Sequence, residues 1–240
     1  MASSRKRVII VIQILLALVV IGAVSWLGFK GYNYYSASQY FDAFEQTYVQ
    51  ETAKGKFQVM WKKFKKECPD AVAWLRVPGV GLSYPVMQGT DNEFYLHHDP
   101  QGGYVFVGSV FMDCNNESVA DPHVILYGHN MIDGSMFGKL GKFRDASFAK
   151  KNSTIYLYTP EGRRTYQVFA VQSVSATSDL FTVGFEHNDQ FGEFVDKLQA
   201  GSLFNSKVEV GKDDSVLSLS TCSSHSTRLV VSAKLVDAQG

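Results

Sequence analysis

The chain has 240 residues, 45% of them hydrophobic, and its 23 basic residues (Lys and Arg) balance its 23 acidic residues (Asp and Glu). This length leaves room for one sizeable domain and an appendage. Residues 1–68 hold ten basic and four acidic residues, whereas residues 69–240 hold thirteen and nineteen. A nucleic-acid partner is therefore not expected, because the basic residues lie in the appendage and do not spread across a folded face.

Residues 8–27 form an apolar run of twenty residues. As a helix with a rise of about 1.5 Å per residue, this run would span roughly 30 Å, the thickness of the hydrocarbon core of a bilayer. We therefore predict a transmembrane anchor at 8–28. Three basic residues, 5–7, precede the run and only Lys30 follows it closely, so residues 1–7 should form a cytoplasmic tail and the rest should lie outside the cell.

A cleaved signal peptide is the alternative to an anchor, because residues 36–38 read Ser-Ala-Ser and small residues of this kind mark cleavage sites. The apolar run is longer than the ~7 to 15 residues usual in a signal peptide, and the small residues lie well downstream of its end. These features favour a retained anchor. In either case the larger domain works outside the cell.

Residues 29–68 predict an extracellular helical appendage. Apolar side chains recur there at three- to four-residue spacing, first at Tyr40, Phe41, Phe44 and Tyr48 and then at Phe57, Met60, Trp61 and Phe64. Gly55 lies between the two stripes and would divide two helices. We expect the stripes to pack on the larger domain, with a membrane surface or a partner as the alternative. The neighbouring lysines 62, 63, 65 and 66 should form a solvated face, with anionic lipid or wall polymer as the alternative contact.

From residue 69 onward the sequence changes to short apolar runs separated by Gly, Pro, Asn and Asp. Such runs predict β-strands, and eight of them indicate a barrel or a closed sandwich. The predicted strands are 72–77, 82–87, 105–111, 123–127, 154–159, 165–173, 215–221 and 227–235. A connection of residues 174–214 follows the sixth strand; it is long enough to be functional and contains a helix with Asn188 as N-cap and Gly201 at its end.

A thiol and a guanidinium meet at one predicted strand connection. Cys222 lies where the seventh strand ends and Arg228 at the start of the eighth, so both lie at the same sheet edge if these strands are neighbours. His129 follows the glycine at the end of the fourth strand, where an imidazole can titrate near neutral pH. These three groups are the ones that acyl transfer through a thiolate requires. The alternative is that Cys222 is a small buried apolar residue and Arg228 a surface cation.

The other histidines and cysteines offer further assignments. His225 is three residues from Cys222 and could be the base, although two side chains in one tight connection need not converge. The same pair could bind a metal, but no second pair at ligand spacing accompanies it, so we expect no metal and no other cofactor. A disulfide between Cys68 and Cys114 would leave Cys222 as the free thiol. We expect all three cysteines to be reduced.

Several stretches together resemble the sortases, the cysteine transpeptidases on the surface of Gram-positive bacteria. They are Ser-Leu-Ser-Thr-Cys at 218–222, Tyr-Gly-His at 127–129, and Arg228. Residues 84–96 and 108–113 resemble the class B branch, and the likeness covers residues 69–236 in order. The resemblance implies a mainly β fold, with an eight-stranded sortase-type barrel at 69–240, helices ahead of it, and a helix in the loop between strands six and seven that walls the substrate groove.

The resemblance also implies a function. A sortase cleaves a sorting-signal peptide in a surface protein after a threonine, forms a thioester, and transfers the acyl group to an amine of a peptidoglycan precursor. Class B enzymes favour motifs of the Asn-Pro-x-Thr kind. The implied catalytic residues are Cys222 as nucleophile, His129 as acid and base, and Arg228 as the contact to the oxyanion and the peptide.

Further residues are implied to bind the substrate. Asn92 and Leu96 would line the groove, Tyr127 would flank the histidine, and Ser220 and Thr221 would sit beside the nucleophile at the threonine end of the peptide. Asp113 is a candidate to orient His129.

Three alternative functions stay open. A class B pilin polymerase would use a lysine side chain of the next subunit as the amine, and the short connection between Cys222 and Arg228 does not fix the acceptor. A silent membrane-anchored scaffold would keep the fold without the chemistry. A papain-like cysteine endopeptidase would share the thioester, although the glycine-rich nucleophile signature of that family is missing and Cys222 follows a strand instead of opening a helix.

Overall fold

The structure, a computed structural model, describes residues 2–52, 57–222 and 227–239, with side chains from residue 7 onward. It divides into two units, Met1–Tyr40 and Phe41–Gly240. Gly55 and His225, for which the sequence suggested a helix break and an alternative base, lie outside the described residues.

Helices and strands alternate irregularly along the chain. The helices are α1 (Ala2–Tyr48), α2 (Trp61–Glu67), α3 (Ala146–Lys151) and α4 (Asp189–Ala200). The strands are β1 (Val49–Glu51), β2 (Phe57–Val59), β3 (Ala71–Val77), β4 (Leu82–Met87), β5 (Val110–Met112), β6 (His123–His129), β7 (Thr154–Thr159), β8 (Gly162–Ser175), β9 (Val216–Cys222) and β10 (Thr227–Gln239). Short 3-10 helices lie at Pro78–Val80, Phe94–Leu96, Gly138–Arg144 and Asp179–Phe181.

The first unit consists of the N-terminal part of α1. Within the described part of the chain, α1 is the one helix long and apolar enough to cross a membrane. Its large apolar side chains between Val8 and Phe29 are exposed. An exposed apolar surface of this length is typical of a membrane span, because hydrocarbon takes the place that water would otherwise occupy.

The segment ahead of the barrel is only partly helical. After the last residues of α1, strands β1 and β2 form an antiparallel hairpin in which Glu51 pairs with Phe57. The helical prediction around Phe57 is therefore wrong. Phe57 and Val59 are buried whereas Gln58 between them is exposed, which is the alternation of a strand.

The predicted aromatic stripes pack against the barrel. Phe44, Tyr48 and Phe64 are buried, and the Phe64 ring centroid lies 5.6 Å from that of Trp74 on β3. The Phe44 and Phe64 rings are 5.9 Å apart in an edge-to-face arrangement. Lysines 62, 63, 65 and 66 are exposed on α2, as predicted for a solvated face.

The strands of the second unit, apart from the β1–β2 hairpin, close into a barrel, which confirms the predicted fold. Among the described residues eight strands form it, in the order β10-β8-β7-β3-β4-β5-β6-β9. The pairs β4–β5 and β6–β9 are parallel and the other neighbours are antiparallel. A parallel pair requires a long crossover connection, and the one between β6 and β9 contains α3, β7, β8 and α4.

Strand β5 begins later than the sequence predicted. Gly108 has a φ of 59°, which interrupts an extended strand, and the N–H of Ser109 donates to the carbonyl of Tyr95 at 2.8 Å. The chain therefore joins the barrel only at Val110. The other difference is one of length: β8 and β10 pair from Thr227 opposite Ser175 to Gln239 opposite Arg163, so both extend beyond the predicted limits.

The helix in the long connection forms as predicted. The side chain of Asn188 accepts a hydrogen bond from the N–H of Phe191 at 3.1 Å and caps α4, and Gly201 is its C-cap. The apolar face of α4, which includes Phe191 and Leu198, packs with Phe169 and other residues of the barrel.

Candidate active site

Cys222, His129 and Arg228 lie at one end of three neighbouring strands. β6 and β9 run parallel, and their last registered pair joins His129 to Cys222. β10 runs antiparallel to β9, and Val230 is paired with Ser220. Two residues toward the end of β9 and the start of β10, the same register places Arg228 opposite Cys222, with both side chains on one face of the sheet. The Nη1 of Arg228 donates to the Sγ of Cys222 at 3.9 Å. The pairing of the barrel strands thus brings the thiol, the imidazole and the cation together.

A backbone carbonyl fixes the His129 ring. Its Nε2 lies 2.8 Å from the carbonyl oxygen of Leu96. Because a carbonyl oxygen can only accept, Nε2 carries a proton. The Leu96 carbonyl is in turn packed against Gly108, where an added Cβ would lie 2.4 Å from the oxygen. The close approach of a glycine therefore allows the carbonyl to reach the histidine.

Burial has the largest effect on the pKa of the Cys222 thiol. Cys222 is 8% exposed, and this burial raises the pKa of its thiol to about 11. The Arg228 charge and a backbone hydrogen bond from Gly128 act in the opposite direction and stabilise the thiolate. The net result is that the resting side chain is a neutral thiol near neutral pH.

Burial also lowers the pKa of His129. The carbonyl of Leu96 raises it, because an imidazolium is a better donor than an imidazole, and the neighbouring His97, whose ring centroid is 5.8 Å away, lowers it. The resting pair is therefore a thiol and a neutral imidazole. The thiolate–imidazolium pair is the minor form.

A groove of about 540 Å³ adjoins these three side chains. Its walls combine apolar and polar groups, which suits an extended peptide. The lining residues are Asn92, Glu93, Leu96, Phe111, Tyr127, His129, Ala176, Phe181, Cys222 and Arg228. Asn92, Leu96 and Tyr127, which the resemblance implied to bind the substrate, are among these residues, and their contact with a peptide stays a prediction.

The long connection after β8 contributes one wall of the groove, through Ala176 and Phe181. The Cζ atom of Arg228 lies 5.4 Å from the centroid of the Phe181 ring and 5.9 Å from that of Tyr127. Both distances are within the range of a cation–π contact. Phe181 and Tyr127 therefore help to keep the guanidinium near Cys222.

Asp113 does not orient His129, contrary to the expectation from sequence. Its carboxylate accepts from Asn92 at 3.0 Å and from the hydroxyl of Tyr127 at 2.9 Å. Nε2 of His129 instead contacts the Leu96 carbonyl. A backbone group, which no side-chain pattern reveals, has the role that the sequence assigned to a carboxylate.

Ser220 and Thr221 are not among the groove-lining residues, and their contact with the threonine end of the peptide stays a prediction. Thr221 is buried and its Oγ1 accepts from the N–H of Leu229 at 3.0 Å. Ser220 is fully buried one step deeper in the sheet, with Tyr127 and Val230 as its strand partners. Because side chains alternate between the faces of a strand, Ser220 shares the sheet face of Cys222, and Thr221 lies on the opposite face.

Several groove residues were missed by the sequence reasoning. Glu93 and Phe111 lie within the stretches 84–96 and 108–113, which could have suggested them. Ala176 and Phe181 come from the long connection, in which no motif distinguishes one residue from the next. His97, which no motif distinguished, lies beside His129.

Cys68, Cys114 and Cys222 are free thiols in the structure. Cys68 is buried and Cys114 is partly exposed. Within the described ranges, no group of three or more His, Cys, Asp or Glu side chains has the arrangement of a metal site.

Comparisons with known proteins find sortases. A family model described as the Sortase domain matches residues 75–236. The chain is 30% identical over 247 residues to Sortase B of Staphylococcus aureus (strain NCTC 8325 / PS 47), covering 96% of this chain and 98% of that protein. A solved sortase B of B. anthracis in complex with AAEK1 has a TM-score of 0.76 at 30% identity and covers 85% of this chain and 98% of its own. A Staphylococcus aureus sortase B–substrate complex has a TM-score of 0.70 at 32% identity, with coverages of 81% and 89%.

Proposed function

Because this chain belongs to the sortase family, and to its class B branch, we propose that it is a membrane-anchored cysteine transpeptidase with Cys222 as its nucleophile. The observation that carries the proposal is the arrangement of Cys222 between its strand partner His129 and Arg228, whose Nη1 is 3.9 Å from Sγ, at a groove of about 540 Å³. A nucleophile, an acid–base group and a fixed cation are the parts that acyl transfer needs.

The first half-reaction forms a thioester. The thiolate of Cys222 attacks the backbone carbonyl carbon of the threonine. A C–S bond forms, and the carbonyl oxygen becomes an oxyanion. Arg228 donates N–H groups to this oxygen. The Nε of Arg228 is buried and has no hydrogen-bond partner among the described residues, so its N–H is available to the substrate. The oxyanion then collapses, the peptide C–N bond breaks, and His129 gives its proton to the leaving amine.

The second half-reaction transfers the acyl group. An incoming amine enters the groove and attacks the thioester carbonyl while His129 accepts its proton. The new C–N bond forms, the C–S bond breaks, and Cys222 leaves as the thiolate. Atoms and charges balance over the cycle, because His129 regains the proton that it donated in the first half-reaction.

The ionised minor form of the pair carries the reaction. A thiolate is a far stronger nucleophile than a thiol, and the imidazolium is the form of His129 that can protonate a leaving amine. Arg228 favours this form because its positive charge lies close to Sγ. Burial limits the population of the ion pair but excludes water, which would otherwise compete with the amine for the thioester.

We assign a peptide of the Asn-Pro-x-Thr kind as the substrate and an amine of a peptidoglycan precursor as the acceptor. The Staphylococcus aureus sortase B solved as a substrate complex supports a peptide in this groove, since this chain is similar to it over 81% of its length. Asn92, Leu96 and Tyr127 would contact the peptide, because they line the groove next to Cys222.

We further propose that α1 anchors the enzyme with its N-terminus in the cytoplasm. The basic residues 5–7 precede the apolar run, and cytoplasmic flanks carry such an excess of Lys and Arg. The chain would then comprise a cytoplasmic tail at 1–7, the span at 8–28, an extracellular appendage at 29–68 and the catalytic barrel at 69–240. The groove would lie outside the cell, where surface proteins are exported.

Intact-mass analysis of the full chain in detergent tests the proposal. The protein is mixed with Asn-Pro-x-Thr or Leu-Pro-x-Thr peptides, either without an amine, with triglycine or with Nα-acetyl-lysine, and Cys222→Ala is the control. A mass gain equal to the N-terminal peptide fragment, absent in the variant and discharged by the amine, is the expected result. Release by water alone would indicate an endopeptidase, and discharge only by a lysine side-chain amine would indicate a pilin polymerase. No adduct with any peptide would refute the proposal.

A further inference from the structure

A buried carboxylate lies behind the groove and takes no part in the mechanism above. Asp113 follows β5 and is 3% exposed. Its Oδ2 accepts from Nδ2 of Asn92 at 3.0 Å and from the hydroxyl of Tyr127 at 2.9 Å. Its Oδ1 accepts from the backbone N–H and from Nδ2 of Asn115 at 2.9 and 3.0 Å. Of these partners, Asn92 and Tyr127 line the groove.

These contacts fix the direction of the Asn92 amide. Its Oδ1 accepts from the N–H of Cys114 at 2.8 Å while its Nδ2 donates to Asp113. An ionised carboxylate can accept but not donate, so a flipped amide would place two oxygens together on one side and two nitrogen donors together on the other. An amide nitrogen has two N–H groups, and one of them is left for a molecule in the groove.

The same carboxylate fixes the hydroxyl of Tyr127. Burial, the charge of Asp113 and the hydrogen bond to it all raise the pKa of Tyr127. The hydroxyl therefore stays protonated and donates its hydrogen bond to Asp113. The phenol oxygen then has only lone pairs to offer to any other partner. Asp113 therefore fixes the orientation of the Asn92 amide and of the Tyr127 hydroxyl, and with it which of their groups can donate to or accept from a molecule in the groove.

We propose that Asp113 is a positioning residue that sets the hydrogen-bonding polarity of the groove, so that Asn92 presents an N–H donor and the bound peptide supplies a carbonyl oxygen at that point. The inference rests on the proposed function and deepens it, because it names the peptide group that this part of the groove recognises. Asp113 itself touches neither the peptide nor the reacting atoms.

The substitution Asp113→Asn separates polarity from shape. A carboxamide has nearly the same size, but its nitrogen donates, so it permits the reversed amide of Asn92 and a reversed hydroxyl of Tyr127. We expect the KM for the sorting peptide to rise about tenfold, the effect of roughly one lost or opposed hydrogen bond, with kcat changed by less than about twofold. Asn115→Ala is the matched control; Asn115 is exposed and contacts the same carboxylate away from the groove, so the KM should stay unchanged.

A second set of variants tests the route of the effect. In a protein that carries Asn92→Ala and Tyr127→Phe, the addition of Asp113→Asn should change the KM by less than about twofold, because the groups through which Asp113 acts are gone. A tenfold effect that persists in this background, or an unchanged KM for Asp113→Asn alone, would overturn the inference while the transpeptidase assignment stands. A wild-type chain that forms no acyl adduct would remove the proposed function first, and the inference with it.

An NMR measurement covers the case in which Asp113→Asn does not fold. In 15N-labelled Cys222→Ala protein, titration with the peptide should shift one side-chain N–H signal of Asn92, the one that faces the groove, and leave the other, bonded to Asp113, nearly unmoved. The signals are assigned by their loss in Asn92→Ala. Equal shifts of both signals, or none at saturating peptide, would contradict the proposal.

Discussion

His129 and Cys222 are direct partners across the parallel strands β6 and β9. The N–H of Asn130 donates to the carbonyl of Cys222 at 3.0 Å and continues the ladder to the very end of both strands. The separation of the acid–base group and the nucleophile is therefore set by strand spacing and not by a flexible loop. Arg228 approaches from the opposite side on β10, so each of the three proposed catalytic groups lies on a different strand of the barrel.

The first prediction concerns the charge beside the thiol. Burial raises the pKa of Cys222 to about 11 and Arg228 lowers it, so Arg228→Gln leaves the effect of burial less opposed and the pKa rises further. A neighbouring opposite charge is typically worth 1–3 pKa units, so the thiolate fraction at a fixed pH should fall at least about tenfold. The rate of alkylation by iodoacetamide at pH 8, followed by intact mass, measures this change.

Two controls accompany the alkylation experiment. Cys222→Ala reports the background from Cys68 and Cys114, which are also free thiols. Arg228→Lys keeps the charge and should preserve most of the alkylation rate, but it should lose transpeptidation because an ammonium lacks the planar fork of donors. An alkylation rate that is the same in Arg228→Gln and the wild type would show that the guanidinium does not stabilise the thiolate.

The second prediction concerns Gly108. An alanine Cβ there would lie 2.4 Å from the carbonyl oxygen of Leu96, which contacts Nε2 of His129. Gly108→Ala should displace this carbonyl, lower the free energy of unfolding and slow acylation of Cys222 by about tenfold or more, since the histidine loses its fixed orientation. Gly102→Ala is the matched control, because Gly102 also has a positive φ but nothing lies within 4 Å of the added atom.

The two glycine variants share the strain of a left-handed backbone, roughly 1–2 kcal/mol for a residue with a Cβ. Urea unfolding of the full chain in detergent should therefore show a modest loss for Gly102→Ala and a larger one for Gly108→Ala. If both variants lose equal stability and both keep normal acylation, the close approach of Gly108 to the Leu96 carbonyl does not support His129.

Sequence reasoning was most successful where strand patterns carry the information. The sequence predicted a strand end at each of Cys222, His129 and Arg228. Residues at the ends of neighbouring strands lie close together, whatever path the connecting loops take. The same reasoning failed for β1 and β2, because three residues are too few for a period of two to be distinguished from a helical period in the sequence. For Ser220 and Thr221 the contact with the peptide stays a prediction, since both side chains are buried in β9 and lie outside the groove lining.

The sequence could not predict contacts made by backbone groups or by residues of the long connection. The carbonyl of Leu96 fixes His129, and every residue has a carbonyl, so no residue type marks this role. Phe181 reaches Arg228 from a connection whose path depends on the packing of α4. Asp113 was singled out as a motif residue, but only the structure shows that its partners are Asn92 and Tyr127.

The third prediction concerns His97, an exposed residue beside His129. Burial lowers the pKa of His129 and His97 lowers it as well, because two positive imidazolium rings repel each other. His97→Gln should therefore raise the pKa of His129, although solvent and salt screen an exposed charge and keep the effect small. NMR titration of the His129 ring protons measures the shift.

His98→Gln is the matched control for His97→Gln. The His98 ring stacks on Phe94 at a centroid distance of 3.9 Å, and its Nδ1 contacts the carbonyl of Phe94. The lowered pKa of His129 comes from burial and from His97 and not from His98, so His98→Gln should leave the pKa of His129 where it was. A shift of equal size in both variants would show that the effect is structural and does not come from the charge of His97.

The last prediction concerns His123, which is fully buried at the start of β6. Its Nδ1 lies 2.7 Å from the carbonyl oxygen of Thr182 and its Nε2 lies 2.9 Å from Oγ of Ser218. Since the carbonyl can only accept, Nδ1 carries the proton and Nε2 of the neutral ring accepts from the serine. Burial lowers the pKa of His123 to about 4, so the folded protein keeps this ring neutral.

The free energy of unfolding should therefore depend on pH. Between pH 6.5, the usual pKa of an unfolded histidine, and pH 4, the unfolded chain binds a proton that the folded chain does not, so stability falls as the pH falls. At about 1.4 kcal/mol per unit, the loss attributable to His123 is about 3 kcal/mol over this window. His123→Gln cannot titrate, so it should lose less stability than the wild type when urea unfolding is compared at pH 7.5 and pH 4.5. Parallel losses in the two proteins would mean that His123 is not the group that binds the proton on unfolding.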